Sequence, residues 1–217
     1  DGKITADQVD KLANQHFNGF GPSPEHTVQP KMVYISFSTE LGTIYSRAEL
    51  EAFRTVCDRY GLYLYIDGAR LGYGLCAADC DVTMADIAKL SDAFYIGGTK
   101  QGMLYGEAVV ISNPAIATDF RYVIKQRGGM LAKAWLVALQ FLILFEDDLY
   151  FELAKQANVL ADDIRTFLQH NNIRSAVVNH TNQVFAILPD TVLNKISEQI
   201  VFAEWLRVDP ANRMVRF

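Results

Sequence analysis

Hydrophobic and polar positions in the first half of the chain switch repeatedly between short apolar runs and helical spacing. Lys31 to Phe37 (KMVYISF) is rich in β-formers and leads into a Ser-Thr-Glu-Leu-Gly loop, the pattern of a buried strand that ends in a turn. Ser46-Arg47-Ala48-Glu49 has capping-box spacing, and Leu50, Phe53, Val56 and Cys57 recur at helical intervals, which predicts a helix from about Arg47 to Tyr60, stopped by Gly61. Leu62 to Asp67 (LYLYID) reads as a second strand and completes a β-α-β unit whose strands are parallel. A capping pair, Thr83 and Asp86, opens a short helix; Ala93 to Gly97 is a third strand and Ala108 to Ser112 a fourth. Strands apolar on both faces that alternate with helices describe an open α/β architecture, a mainly parallel sheet covered by helices in three layers, with ligands at the carboxyl ends of its strands.

After Arg127-Gly128-Gly129 the pattern changes. Leu131 to Phe145 is almost continuously apolar, and Glu152 to Asn171 is amphipathic with helical period. A boundary near Asp147 is expected, dividing a large unit, 1–147, from a small one, 148–217. The small unit reads as α+β: a strand from Gln183 to Leu188, a helix capped by Asp190, and a last strand from Met214 to Phe217.

Composition narrows the function classes. With 217 residues, half of them hydrophobic, the chain has enough apolar surface for a large core. The formal net charge of -5 and the scattered Lys and Arg give no stripe for a nucleic-acid backbone. The longest apolar stretch, Ala134 to Phe145, is too short to span a bilayer, so no membrane partner is expected. An odd set of cysteines, Cys57, Cys76 and Cys80, suits a reducing compartment and leads to a cytoplasmic expectation. Cys76 and Cys80 with Asp79 and Asp81 lack a nearby His and a second paired motif, so no metal is expected. The chain starts without Met and its last strand stops at Phe217, from which we expect a fragment of a longer polypeptide.

Asp67 and Lys100 fall at or just past the ends of neighbouring predicted strands. A buried carboxylate near a pyridine nitrogen keeps that nitrogen protonated, and a lysine amine in the same crevice can condense with an aldehyde. These are the protein groups that pyridoxal phosphate requires. Taken singly, each also has an ordinary reading: an Asp that caps a turn, a Lys that is solvated in a glycine-rich loop.

The flanking residues are more specific. Asp67-Gly68-Ala69-Arg70-Leu71, then Ser91-Asp92-Ala93-Phe94 leading to Gly97-Gly98-Thr99-Lys100, then Gln126-Arg127-Gly128-Gly129-Met130, resemble segments of threonine aldolases and the related β-eliminating lyases, pyridoxal-phosphate enzymes of the aspartate-aminotransferase fold group. The resemblance runs from about Lys31 to Phe145. It implies pyridoxal 5'-phosphate as cofactor, Lys100 as its attachment point and a mover of protons, and Asp67 as partner of the pyridine nitrogen. It places Arg70 beside the ring or on the substrate carboxylate, and Arg216 on that carboxylate. Thr99 is implied as a phosphate contact, Arg127 or Lys133 as a source of positive charge, and Ser38 and Thr39 as neighbours of the cofactor's phenolic oxygen.

Two segments depart from the aldolase pattern: Ser36-Phe37-Ser38-Thr39-Glu40 lacks an Asn, and Leu131-Ala132 stands where Arg-Gln is usual. The phosphate cradle and ring-stacking residue of the family are not visible in 1–30. The reaction implied is cleavage of a β-hydroxy amino acid such as threonine or allo-threonine to glycine and an aldehyde, by a homodimer or homotetramer. β-Elimination from an aromatic or sulfur amino acid and a catalytically silent scaffold stand as alternatives. A nucleotide-binding Rossmann domain fits the alternation but lacks a glycine fingerprint after the first strand.

Overall fold

The computed structural model describes residues 2–19 and 21–217. Helix α1 (Ala6–Phe17) precedes β1 (Met32–Ser36), α2 (Arg47–Tyr60), β2 (Tyr63–Asp67), the short α3 (Leu71–Leu75), α4 (Met84–Leu90), β3 (Ala93–Gly97) and β4 (Glu107–Ile111). The first sheet has the order β1-β2-β3-β4, with β1, β2 and β3 parallel and β4 antiparallel at the edge. The expected α/β class and mainly parallel sheet are therefore present.

Helix α2 forms where the spacing predicts it. Ser46 and Glu49 close a complete capping box, Gly61 ends the helix in the left-handed region at φ 64°, and Leu50, Phe53, Val56 and Cys57 are its buried face. Thr83 and Asp86 cap α4 the same way. Val33 and Ile35 of β1, Leu64 and Ile66 of β2 and Phe94 of β3 pack against α2, α4 and Ala13 of α1. Each fully buried side chain of this kind contributes about 1.5–3 kcal/mol. Strand alternation turns Tyr34, Tyr65 and Asp67 to the opposite face.

The chain continues through α5 (Pro114–Ala117), α6 (Phe120–Gln126), α7 (Trp135–Phe145) and α8 (Leu149–His170). Asp147 and Asp148 lie in the left-handed region, φ 51° and 60°, and break the chain between α7 and α8. Helix α8 starts three residues before the expected Glu152, and α7 four residues after Leu131. Strand β5 (Phe185–Pro189), α9 (Asp190–Ile196), β6 (Ala203–Arg207) and β7 (Asn212–Arg216) form a second, antiparallel sheet of order β5-β7-β6 packed on α8.

One expectation is corrected and two elements are new. Asp190 does not cap α9: the N-cap is Pro189, and the Asp190 carboxylate is taken by Arg207 at 3.1 Å and Arg213 at 2.7 Å. Helix α1 has no counterpart in the expectation, although Thr5 and Gln8 form a capping box that announces it. Strand β6 was also unforeseen, because AEWLR is an exposed edge strand without a continuous apolar run.

Candidate active site

The site is built where β2 and β3 end side by side. The amide of Gly97 donates to the carbonyl of Gly68 at 2.9 Å, so the two strand ends touch through their backbones. A Cβ on Gly68 would lie 1.8 Å from the carbonyl oxygen of Tyr95, and one on Gly97 would lie 2.5 Å from that of Ala69. Only glycine permits this approach, and it brings Asp67 and the Lys100 turn together.

Asp67 is the last residue of β2. The parallel register pairs Tyr34 with Tyr65 and Tyr65 with Ala93, so Tyr95, two residues further along β3 on the same face, completes a diagonal row of tyrosines, its ring 6.4 Å from that of Tyr65. The rings of Tyr34 and Tyr65 stack at 5.5 Å. The hydroxyls of Tyr34 and Tyr95 both donate to the Asp67 carboxylate, and the amide of Ala69 adds a third bond at 2.9 Å. Burial raises the Asp67 pKa, but the two hydroxyls, the amide and the nearby charge of Lys100 outweigh it and hold the carboxyl below its ordinary value. The cost falls on the tyrosines: burial and the Asp67 charge push Tyr34 up to about 12, and Tyr95 also upward. A carboxylate has room for about four donors. Three are in place, leaving one acceptor position.

Lys100 follows β3 in an exposed turn. Tyr73 of α3 donates its hydroxyl to the Lys100 carbonyl. From α8, the buried Tyr150 hydroxyl accepts from the Gly72 amide and donates to the Gly97 carbonyl, both at 3.2 Å, while the Gln101 side chain donates to the Tyr150 carbonyl at 2.9 Å. Tyr150 thus joins the segment after Asp67 to the segment before Lys100. On β4, Glu107 accepts from the Gly98 amide and, at 2.9 Å, from the Thr99 hydroxyl. The side chain expected on a phosphate is therefore engaged by a carboxylate.

The loop after β1 and the strand β7 complete the site. Arg70 donates to Glu40 at 3.2 Å, and Arg216 lies 3.9 Å from the other oxygen of the same carboxylate. Arg216 also donates to Gln183 at 3.2 Å, and its guanidinium lies over the Trp205 ring. Ser38 and Thr39 are buried; the Ser38 hydroxyl has no partner among the described residues, whereas Thr39 and Thr43 share a bond at 2.7 Å. Lys133 is exposed in the turn before α7, and neither it nor Arg127 forms a side-chain bond or ion pair among the described residues. Asp67 and Arg216 at strand ends and Lys100, Arg70, Ser38 and Thr39 on the adjoining segments thus meet, while Lys133 stands apart.

The sequence profile of the beta-eliminating lyase family matches residues 1–191. The chain belongs to this family. Among curated members, the low specificity L-threonine aldolase of Pseudomonas aeruginosa is 34% identical over 133 residues, which is 61% of this chain and 38% of that protein. The homologue from a Pseudomonas species shows the same identity over the same length. Among solved structures, the threonine aldolase of Leishmania major superposes with a TM-score of 0.94 at 38% identity, over all of this chain and 62% of the other. The chain therefore spans less than two thirds of each of these relatives. The match establishes the aspartate-aminotransferase fold; cystalysin from Treponema denticola, a protein described as containing pyridoxal 5'-phosphate, shares that fold alone, with a TM-score of 0.65 at 14% identity.

Several residues of this family member's site had no signal in a linear reading. Tyr34, Tyr95, Glu107, Tyr150 and Gln183 enter it through register or tertiary contact. The recurrence of Tyr at core-averted positions of three successive strands was the one available hint for the first two.

Proposed function

We propose that the chain carries the catalytic part of a pyridoxal-phosphate lyase that cleaves a β-hydroxy amino acid, threonine or allo-threonine, to glycine and an aldehyde. The observation that carries this reading is the Asp67 carboxylate, held ionised by three donors, with one acceptor position left and the Lys100 cation beside it. That donor set fits the cofactor. When bound, pyridoxal phosphate supplies an electron sink for charge developing at the substrate α-carbon.

In this reading Asp67 presents a fixed negative charge that keeps the pyridine nitrogen protonated. Lys100 is the attachment point, and its amine moves the proton between substrate oxygen or α-carbon and bulk. Arg70 and Arg216 bind the two oxygens of the substrate carboxylate, a task that suits planar guanidinium groups. The Ser38 hydroxyl, unpartnered among the described residues, and Thr39 beside it line the wall next to the phenolic oxygen. Thr99 reaches the phosphate after exchanging Glu107, and Lys133 is assigned to the phosphate across a subunit interface.

Residues 1–147 then form the cofactor-binding unit and 148–217 the unit that supplies Arg216. A homodimer or homotetramer is supported by Tyr122, Trp135 and Leu142, large apolar side chains exposed on α6 and α7. Among the described residues no helix is long and apolar enough to cross a membrane. The free cysteines agree with a cytoplasmic location.

The test is a visible absorption scan after incubation with pyridoxal phosphate, followed by borohydride reduction and peptide mass spectrometry. A new band and a reduced adduct on Lys100 are expected, and an adduct elsewhere or none refutes the reading. Product analysis then separates reactions: glycine and an aldehyde from threonine are expected, whereas pyruvate from tryptophan or cysteine would assign β-elimination.

A further inference from the structure

We propose that Glu40 is a built-in occupant of the carboxylate clamp. It fills the position between Arg70 and Arg216 until a small carboxylate displaces it, and so sets how tightly that site binds. The inference rests on the reading of these two arginines as the substrate-carboxylate clamp.

Two features make the Glu40 side chain exchangeable while its backbone is not. Gln183, almost fully buried, donates its amide nitrogen to the Glu40 carbonyl at 3.0 Å and more weakly to the Thr39 carbonyl, and its oxygen accepts from Arg216. One rigid side chain therefore fixes both the loop and the arginine that faces it. The Glu40 carboxylate itself is 64% exposed, whereas Arg70 and Arg216 are only 12% and 28% exposed. Two confined guanidinium groups converging on one point need an anion between them, since like charges at close range raise each other's energy. Glu40 provides it, through one hydrogen bond to Arg70 and a looser ion pair to Arg216 at 3.9 Å.

An exposed pair of this kind is weak and exchanges with solvent ions. A ligand carboxylate that engages both guanidinium groups with short bonds is a better partner, because bidentate charge-assisted bonds are the stronger class. The loop keeps the displaced Glu40 within side-chain reach, so release of the ligand refills the clamp. The arginines stay aimed at one point whether or not substrate is present.

The experiment titrates the whole chain with acetate, and with acetamide as its neutral isostere, following calorimetric heat and arginine side-chain resonances. Glu40→Gln, an exposed change that leaves the loop's backbone bonds in place, is expected to tighten acetate about threefold to fivefold, the range of an exposed ion pair removed as competitor. Acetamide affinity stays unchanged. Unchanged or weaker acetate binding in Glu40→Gln overturns the proposal. Arg70→Lys and Arg216→Lys separate this from the underlying reading: if acetate binds as well without either arginine, the clamp assignment itself fails. If it binds only with both arginines and Glu40→Gln is neutral, the clamp stands and the occupant role falls.

Discussion

The Asp67 carboxylate and the hydroxyls of Tyr34 and Tyr95 form one titrating unit, and its pH behaviour has a definite sign. The Asp67 pKa is lower in the folded chain than the ordinary ~3.9, so its contribution to stability is present above that value and lost as pH falls through the depressed one. Tyr34 is raised to about 12, so its contribution is present below the ordinary ~10 and lost as pH climbs from there through about 12. Thermal unfolding followed across pH is expected to show both flanks, with Asp67→Asn removing the acid one and Tyr34→Phe reducing the alkaline one. In Asp67→Asn the Tyr34 ionisation, read by tyrosinate absorbance, moves back toward 10. In the cofactor-loaded protein the same variant is expected to lose about a hundredfold or more in turnover, the scale of removing one preorganised electrostatic partner. Turnover and Lys100 labelling measured on the same sample separate lost chemistry from lost cofactor.

Elements differ in how much of their role was legible in the sequence. Helices α2 and α4 declare themselves through capping boxes and buried spacing, and β1, β2 and β3 through apolar runs, so the carboxyl ends that hold Asp67 and Lys100 were readable to within a residue or two. The contacts that hold those ends together were not. Tyr150 sits at the second position of α8, 50 residues past Lys100, and no local pattern says that its hydroxyl bridges α3 and β3. The clamp role proposed for Arg216 was suggested only by a resemblance, and the side chains that hold it, Gln183 and Trp205, depend on the pairing of β5, β6 and β7. Tyr150→Phe keeps the ring and removes both hydroxyl bonds, one from a backbone amide and one to a carbonyl. A loss of about 1–3 kcal/mol is expected by chemical denaturation, with faster hydrogen exchange at the Gly72 amide. Equal exchange at Gly72 in both proteins would show that the bridge is not holding α3.

At the scale of the molecule, the two sheets communicate through side-chain amides and hydroxyls donated to one loop. Asn179 donates to the Leu41 carbonyl at 2.8 Å, Thr181 to that of Gly42 at 2.9 Å, and Gln183 to that of Glu40. Arg165 of α8 organises the segment that carries them by donating to Asn179 and to the Thr181 and Gln183 carbonyls. Arg165→Met is expected to cost about 2–4 kcal/mol, since buried acceptors lose a charged donor, and to split a single unfolding transition into two by calorimetry. A single transition at unchanged temperature would show that the sheets are coupled by other contacts. The backbone contact between Gly68 and Gly97 bears on anyone who remodels this scaffold. It sets how closely the two strand ends approach without using a side chain, so a mutant library can randomise the Glu40 loop and β7 while that approach stays fixed. Those two glycines are the positions such a library has to leave untouched.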